Sequence, residues 1–308
     1  MNGLEHFIAK QMYKYRHGRW WMPDRWFIEL QAEKRLGKNI NLKNPISLTE
    51  KLQWLKLHDH NPLYTVLSDK YQAKLWMKHY FKEDYVIPCL NYYRSVDEID
   101  YATLPKKFVI KCNHDSGSVF ICYDKASAKF MNKDGLWCDW EMVQSYLKRA
   151  LKESYFYYDR EWPYKGIKEH LIIIEPLCLT KEGKLPTDIK LFYANGEFLF
   201  TYVSYGRDGV NDRCTYDKDW NRLPFVWMSS LSYRENINTS EVPRPEKYDE
   251  MISIGKEIAS YCKFVRIDFF DIDGDLKIGE VTFFHGGGWD RFYPEKYDFI
   301  YGEKLKLD

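Results

Sequence analysis

The sequence predicts an α+β protein, on three observations. Helical periodicity with clear start and stop signals fills the first eighty residues and returns near 140 and 245. Short β-branched and aromatic runs cluster around residues 108–122, 171–196 and 264–284. Two of the later runs turn at Asn195-Gly196 and Asp273-Gly274, dipeptides that accept the positive φ of tight hairpins. A chain of 308 residues can bury a large core and divide into two or three subdomains.

The first forty-five residues read as helical, with Lys14, Arg16, His17, Arg19, Trp20 and Trp21 giving them a basic and aromatic texture. Pro23 opens a helix that Gly37 closes. This region suits an anionic membrane surface or a partner. The plainer reading, a helical pair packed on the main domain, is preferred because the charge falls short of a polybasic run. Ser47-Leu-Thr-Glu50 forms a capping box starting a helix through Trp54 and Leu57, which Asn61-Pro62 breaks. A second helix runs from about Asp69 to Phe81 and holds Lys70 in its first turn, where the helix dipole disfavours a cation. Lys70 therefore either aims at a ligand anion or is an ordinary exposed lysine.

Tyr85-Val-Ile-Pro88 is strand-like, and Phe108-Val-Ile110 is a buried strand ended by Lys111. His114-Asp-Ser-Gly-Ser118 then turns into Val119-Phe-Ile-Cys122. A lysine before a small-residue turn can cradle phosphate, although such turns are common in hairpins and this one is not a P-loop. An amphipathic helix covers about Trp140 to Glu153, with Met142, Val143, Tyr146, Leu147 and Ala150 as its apolar set. Leu171 to Leu177 is an apolar strand ended by Glu175-Pro176, and Asp188-Ile-Lys190 opens a strand that turns at Asn195-Gly196. Arg207, Asp208, Asn211, Asp212 and Arg213 form a polar stretch with no readable order. A helix from Pro245 to about Cys262 delivers the chain into the last hairpin, and the tail from Gly302 carries no signal.

That hairpin, Phe264 to Phe284, carries Arg266, Asp268 and Glu280 among strand-forming bulk. With a three-residue loop, Asp273-Gly274-Asp275, Asp268 faces Glu280 and Arg266 faces Thr282 on one side. A two-residue loop would put Asp268 opposite Gly279 and send Glu280 to the far face, so the longer loop is expected. Two opposed carboxylates repel unless a cation lies between them, and hard oxygen ligands suit Mg²⁺ shared with phosphates. The competing account is a solvated salt bridge with Arg266.

Composition restricts the function. Forty-six basic and 45 acidic residues leave a net charge of +1, which argues against non-specific nucleic-acid binding. Aromatics make up 18% of the chain and could line a saccharide surface, but filling the core explains them more simply. Seven scattered cysteines without zinc spacing suit a reducing cytoplasm. There is no secretory signal and no membrane-spanning run. His285-Gly-Gly-Gly-Trp289 resembles an esterase oxyanion loop but lacks any G-x-S-x-G partner. Asp271, Asp273 and Asp275 have the wrong spacing for a calcium loop. Asp271-Ile-Asp273 matches the D-x-D of many glycosyltransferases, and turn chemistry accounts for both acids.

The ordered series Lys70, Lys111, Glu175, Asp188, Lys190, Arg266, Asp268 and Glu280 resembles the ATP-grasp carboxylate–amine ligases, and Arg266-Ile-Asp268-Phe-Phe270 is its most specific part. More narrowly, Ser47 to Leu57, Lys111 to Gly117, Arg160-Glu-Trp-Pro-Tyr164 and Gly279 to Phe284 resemble the TupA-like ATP-grasp branch, linked to teichuronopeptide and other surface-polysaccharide synthesis. The resemblance implies an ATP-grasp fold, two α/β subdomains sandwiching ATP. The implied division is a helical segment at 1–65 and an ATP-grasp domain at 66–308, with a lid at about 108–174 and a metal-binding part at about 175–308. It implies Lys70 and Lys111 on the ATP phosphates, and a mobile loop of His114, Ser116, Gly117 and Ser118. Adenine would lie at Glu175, Pro176 and Leu177, with the ribose near Asp188 and the reacting phosphate near Lys190. Mg²⁺ would sit on Asp268 and Glu280, with Arg266 on the acyl phosphate. The implied partners are ATP, a saccharide carboxylate and an amino acid, with room for peripheral association with membrane-bound polysaccharide machinery. Glu280-Val-Thr282 departs from the usual Glu-x-Asn, which bears on a second metal, and Gly117 is the only glycine of the loop.

Overall fold

The computed structural model describes residues 2–14, 20–205, 212–228 and 242–307. Arg16, His17 and Arg19, and Arg207, Asp208 and Asn211, lie outside the described residues. The strands in chain order are β1 (Asn91–Tyr93), β2 (Phe108–Cys112), β3 (Val119–Cys122), β4 (Lys129–Asn132), β5 (Trp137–Asp139) and β6 (Ile172–Pro176). They are followed by β7 (Thr187–Ala194), β8 (Glu197–Tyr205), β9 (Asp212–Tyr216), β10 (Val226–Met228), β11 (Phe264–Ile272), β12 (Asp275–Thr282) and β13 (Arg291–Tyr293).

Two antiparallel sheets carry the fold. One has the order β1-β6-β2-β3-β4-β5 and the other β12-β11-β7-β8-β9, while β10 and β13 form a separate ribbon. The Trp140–Ala150 helix, held at its start by Asp139 Oδ1 accepting from Met142 N (2.9 Å), buries Val143, Leu147 and Ala150 with Phe108, Phe130 and Ile174 of the six-stranded sheet. Met142, on the expected apolar set, is exposed. The Tyr248–Ala259 helix buries Met251, Ile254 and Ile258 with Val265, Ile267 and Phe269 of β11. Leu48, Leu52, Leu55, Tyr64 and Leu67, from the Leu48–His58 and Leu63–Ser68 helices, belong to that same core.

Most expected elements appear where their signals place them. Asp24–Leu36 starts after Pro23 and ends at Gly37 with φ 70°, and the Ser47–Glu50 capping box is closed in both directions. Asp69 caps Lys70–Tyr80 by accepting from the backbone N–H groups of Tyr71 and Gln72, which offsets the cation in its first turn. Asn195 and Gly196 have φ 49° and 80° in the β7–β8 turn. As expected, β6 ends at Pro176, which is paired with Phe108 as the last residue of the ladder, where its missing N–H has no consequence. Two readings are corrected. Tyr85-Val-Ile-Pro88 is the end of a 3₁₀ turn and a single bridge from Val86 to Ile278, because its apolar residues pack against β12 rather than along a strand. The tail is anchored: Lys51 Nζ donates to the carbonyls of Gly302 and Leu305 (2.7 Å each) at the end of the Lys296–Lys304 helix, and Leu305 is buried.

The Gly3–Lys14 helix packs on Asp24–Leu36 through Ala9, Met12 and Tyr13 against Phe27 and Leu30. Buried Arg160 ties the second of these helices to the body: its Nε lies 2.8 Å from Asp24 Oδ1, and its guanidinium lies 4.3 Å from the Phe27 ring centroid.

Candidate active site

The hairpin reaches the expected pairing by an unexpected route. Ile272 pairs with Asp275, so the loop is the two residues Asp273 (φ 54°) and Gly274 (φ 88°), not three. A β-bulge then resets the register: Phe269 pairs with Ile278 and Asp268 with Glu280, leaving Gly279 as the extra residue. Arg266 faces Thr282. The side chain of Phe270 lies across Gly279, where a Cβ would sit 2.7 Å from the ring, so glycine is what lets the bulge close. The turn acids already have partners. Asp271 accepts from Gly274 N (2.8 Å), Asp273 accepts from Lys181 N (2.6 Å) and Asp275 pairs with Lys277 (2.9 Å).

On the other side of β11, Asp268 pairs with Lys190 and Phe270 with Asp188. Lys190, Asp268 and Glu280 thus form a row across three strands, with Arg266 two residues along. Arg266 Nε and Nη2 donate to Asp268 Oδ1 and Oδ2 (2.6 and 2.8 Å), and Nη2 lies 3.4 Å from Glu280 Oε2. Lys190 Nζ donates to Asp268 Oδ2 (2.9 Å) and to Asp188. Burial raises the Asp268 carboxyl, but the guanidinium of Arg266 and the ammonium of Lys190 outweigh it and hold it down at about 2. Burial likewise disfavours charge on Arg266, and Asp268 and Glu280 more than reverse this. Asp268 and Arg266 therefore stay ionised throughout the neutral range.

A residue set missed in the sequence holds Arg266 in place. Its Nη1 donates to His285 Nδ1 (2.6 Å), and His285 Nε2 donates to Asp290 Oδ2 (3.2 Å). Burial pulls His285 below its ordinary value in spite of Asp290, which suits the neutral tautomer this geometry requires. Asp290 is fixed in turn by its carbonyl, which accepts from Trp227 Nε1 (2.9 Å), and Trp227 stacks on Phe292. The glycines after His285 have a structural purpose: Gly286 has φ 56°, and a Cβ there would lie 2.3 Å from Asp290 Oδ1. Gln53 Nε2 and Lys56 Nζ donate to the carbonyl of Gly287 (3.1 and 2.6 Å), anchoring this turn to the capping-box helix.

A second cluster lies on the six-stranded sheet. Glu175, at the end of β6, is buried between Lys74 Nζ and Lys111 Nζ, each 2.8 Å from one carboxylate oxygen. Burial raises Glu175, and the two ammonium groups overcome this to hold it at about 2. Lys74 also donates to Ile87 O (2.7 Å). One helical turn earlier, Lys70 donates to Asp115 O and stands 3.7 Å from Glu280 Oε1. Lys70 and Lys74, four residues apart on one helix, thus touch one cluster each.

The 114–118 turn divides its labour. Asp115 Oδ1 accepts from Ser118 N (3.2 Å), Ser118 Oγ (2.5 Å) and Gly117 N (3.3 Å), and Ser118 Oγ accepts from Cys112 N (3.0 Å). Ser116 is exposed, while the His114 ring is turned inward, with Nε2 3.1 Å from Ala150 O and its plane stacked on His170. Burial and His170 lower His114 to about 4. Leu177 is half-buried just beyond β6. Glu161 was also missed: it is buried, and burial lifts it to about 8 against the pull of Lys56, with Asp159, Arg266 and Glu280 among the other charges acting on it. Lys56 on the buried face of its helix is pulled down to about 8 by burial.

Among the described residues no group of three or more His, Cys, Asp or Glu could hold a metal ion. Asp268 and Glu280 nevertheless fit Mg²⁺ that brings its own phosphate oxygens, because one or two carboxylates then suffice. They offer hard oxygens on one face, and Glu280 stays one-third exposed.

A family model described as TupA-like ATPgrasp matches residues 50–306. No curated protein matches the chain. Among solved structures, the chain is similar to the D-alanine–D-alanine ligase of Bacillus anthracis complexed with ATP, at 17% identity over 71% of this chain and 54% of that one, TM-score 0.36. It is similar to the macrocyclase MdnC of Microcystis aeruginosa bound with its precursor peptide, at 12% identity over 80% and 62%, TM-score 0.37. It is also similar to the ATP-grasp ligase PsnB complexed with a variant of its minimal precursor, Mg and ADP, at 8% identity over 84% and 65%, TM-score 0.40. The chain thus spans 54%, 62% and 65% of the length of these three proteins.

Proposed function

Because the chain belongs to the TupA-like ATP-grasp family, whose model matches residues 50–306, we propose that it is an ATP- and Mg²⁺-dependent carboxylate–amine ligase. The γ-phosphoryl group passes to a substrate carboxylate and releases ADP. The amine then attacks the acyl carbon, loses a proton and expels phosphate, leaving an amide. The observation that carries this reading is the pairing of Asp268 with Glu280 on one face, with Arg266 and Lys190 beside them. When bound, Mg²⁺ would neutralise phosphate charge and polarise the phosphoryl oxygens, held by Asp268 and Glu280.

The chain's own groups divide the remaining work. An ammonium has three donors, so Lys111 can keep Glu175 and still meet a phosphate, and Lys70 can do so from Asp115. Ser116 and Gly117 form the part of the loop that closes over the nucleotide, while His114 and Ser118 hold the turn from beneath. Backbone groups of Glu175 to Leu177 would meet adenine, with Asp188 near the ribose. Lys190 would reach the transferred phosphate, and Arg266 would stabilise the charge of the acyl phosphate and of the tetrahedral adduct. We assign the carboxylate to a uronic acid of a capsular or cell-wall polysaccharide precursor and the amine to an amino acid, and place the reaction in the cytoplasm.

The test is release of ADP and phosphate that requires both substrates. Transfer or hydrolysis of a nucleotide sugar without ATP would overturn the proposal. A glycosyltransferase using Asp271 and Asp273 is disfavoured, since both carboxylates already accept backbone N–H groups, Asp271 from Gly274 and Asp273 from Lys181. For a non-catalytic assembly protein ATP would give no thermal shift, whereas a nucleotide at a hundred times its Kd stabilises by about 2.7 kcal/mol.

A further inference from the structure

A cavity of about 210 Å³ opens between the 114–118 turn and the end of the Trp140–Ala150 helix. Its wall takes in Ser116, Gly117, Lys133, Tyr146, Arg149 and Tyr158. Pockets for drug-sized ligands run to roughly 300–1,000 Å³, so this one suits a single small molecule and not a nucleotide. Strand register brings Lys133 there: Phe120 of β3 pairs with Asn132, which sets the residue after β4 level with the end of the turn. Tyr146 rises from the helix, and a Cβ at Gly117 would lie 2.9 Å from its hydroxyl, so the glycine of the turn leaves that hydroxyl its place.

The charged groups around the cavity are in two different conditions. Its carboxylates are engaged: Asp115 Oδ1 accepts from Gly117 N, Ser118 N and Ser118 Oγ, and Glu153 Oε2 accepts from the Tyr158 hydroxyl (2.8 Å). Its cations meet no acid. Lys148 on the same helix pairs with Asp97 (2.8 Å), whereas among the described residues neither Arg149 nor Lys133 is paired with a carboxylate. The Arg149 guanidinium instead lies 4.9 Å from the Tyr146 ring centroid, which holds it at the cavity with donors to spare. A guanidinium, an ammonium and tyrosine hydroxyls around one space form a donor set for a carboxylate. Two cations and two acids line the cavity, a balance that suits a zwitterion better than a bare anion.

The ligase reading, on which this inference rests, brings two carboxylates to the protein. One is activated and has to lie with Arg266 and Lys190. The carboxylate of the amino acid does not react and needs an anchor elsewhere. The cavity is placed to supply it: Tyr155 in its wall meets the Tyr164 ring edge-on at 4.9 Å, and Tyr164 is buried with Glu280 and Arg266 among the charges acting on it. We propose that this cavity seats the amino-acid substrate, with its carboxylate on Arg149 and Lys133 and its amine towards Arg266.

The full chain, loaded with a non-hydrolysable ATP analogue and Mg²⁺, is dialysed to equilibrium against a mixture of the proteinogenic L-amino acids, and any that is retained is identified. At least one is expected to be retained, and its carboxamide is not. Arg149→Gln and, separately, Lys133→Gln should each weaken retention at least about tenfold, with the melting temperature and the ATP-induced thermal shift unchanged. The carboxamide comparison uses the wild type alone and stands even if a variant fails to fold. Equal retention of the carboxamide, or equal retention by both variants, overturns the proposal, as does D-glucuronate retained in place of an amino acid and lost in Arg149→Gln. A normal ATP-induced shift with no retained amino acid overturns this proposal alone, whereas a wild type without that shift overturns the ligase reading and the proposal with it.

Discussion

Replacing Glu175 with Gln tests how the six-stranded sheet holds its two lysines. The carboxylate is buried with 5% of its side chain exposed, so solvent screens its pairs with Lys74 and Lys111 little. It titrates at about 2 in the fold against an ordinary 4.5. At about 1.4 kcal/mol per tenfold change in proton affinity, the ionised form contributes about 3 kcal/mol to stability. The folded value is depressed, so this contribution is complete above about pH 4.5 and is lost as the pH falls through about 2. Burial lowers Lys74 below its ordinary value despite Glu175, so the buried ammonium offsets part of the gain. The net loss expected at neutral pH for Glu175→Gln is about 2–4 kcal/mol, because two ammonium groups are left facing a neutral amide. Urea unfolding of both proteins across the acid range measures it. The wild type should lose stability towards the variant's value as the pH falls through that window. A variant within about 0.5 kcal/mol of wild type at neutral pH, with the same acid dependence, would refute the reasoning.

Four further variants address the hairpin and the turn that follows it. Gly279→Val should cost about 1–3 kcal/mol, since its Cβ would meet Phe270 at 2.7 Å, and should weaken the ATP-induced thermal shift by displacing Glu280 from Asp268. Asp268→Asn should lower ATP turnover at least about a hundredfold, whereas Asp271→Asn with Asp273→Asn should leave it nearly unchanged; a reversed order would favour the glycosyltransferase. His285→Ala removes the acceptor of Arg266 and should lower kcat about tenfold with little change in the KM for ATP, while a KM effect alone would place His285 in nucleotide binding.

How much was legible in the sequence follows the range of the forces involved. Caps and tight turns depend on neighbours a few residues away, so Ser47–Glu50, Gly37 and Asn195-Gly196 were readable. The β-bulge was not. It depends on how Phe270 packs over Gly279, and counting residues around Asp273-Gly274 gave the right pairing through the wrong loop. The acids of the hairpin could be sorted into turn and face, yet their partners came from elsewhere: Lys190 from the neighbouring strand, His285 from the glycine turn and Lys70 from a distant helix. Lys74 and Glu161 left no local signal that sets them apart from surface charges. Lys56 did leave one, since it shares the buried face of its helix with Leu52 and Leu55. Short strands such as β4 and β5 carry too few residues for alternation to show.

The most direct test of the central claim is a structure of the protein crystallised with a non-hydrolysable ATP analogue and Mg²⁺. The account predicts a metal ion shared by Asp268, Glu280 and the phosphates, with Lys70 and Lys111 on phosphate oxygens and the Ser116-Gly117 turn closed over them. A nucleotide bound at the Asp271–Asp273 turn, or a metal that leaves Asp268 and Glu280 paired only with Arg266 and Lys190, would contradict it.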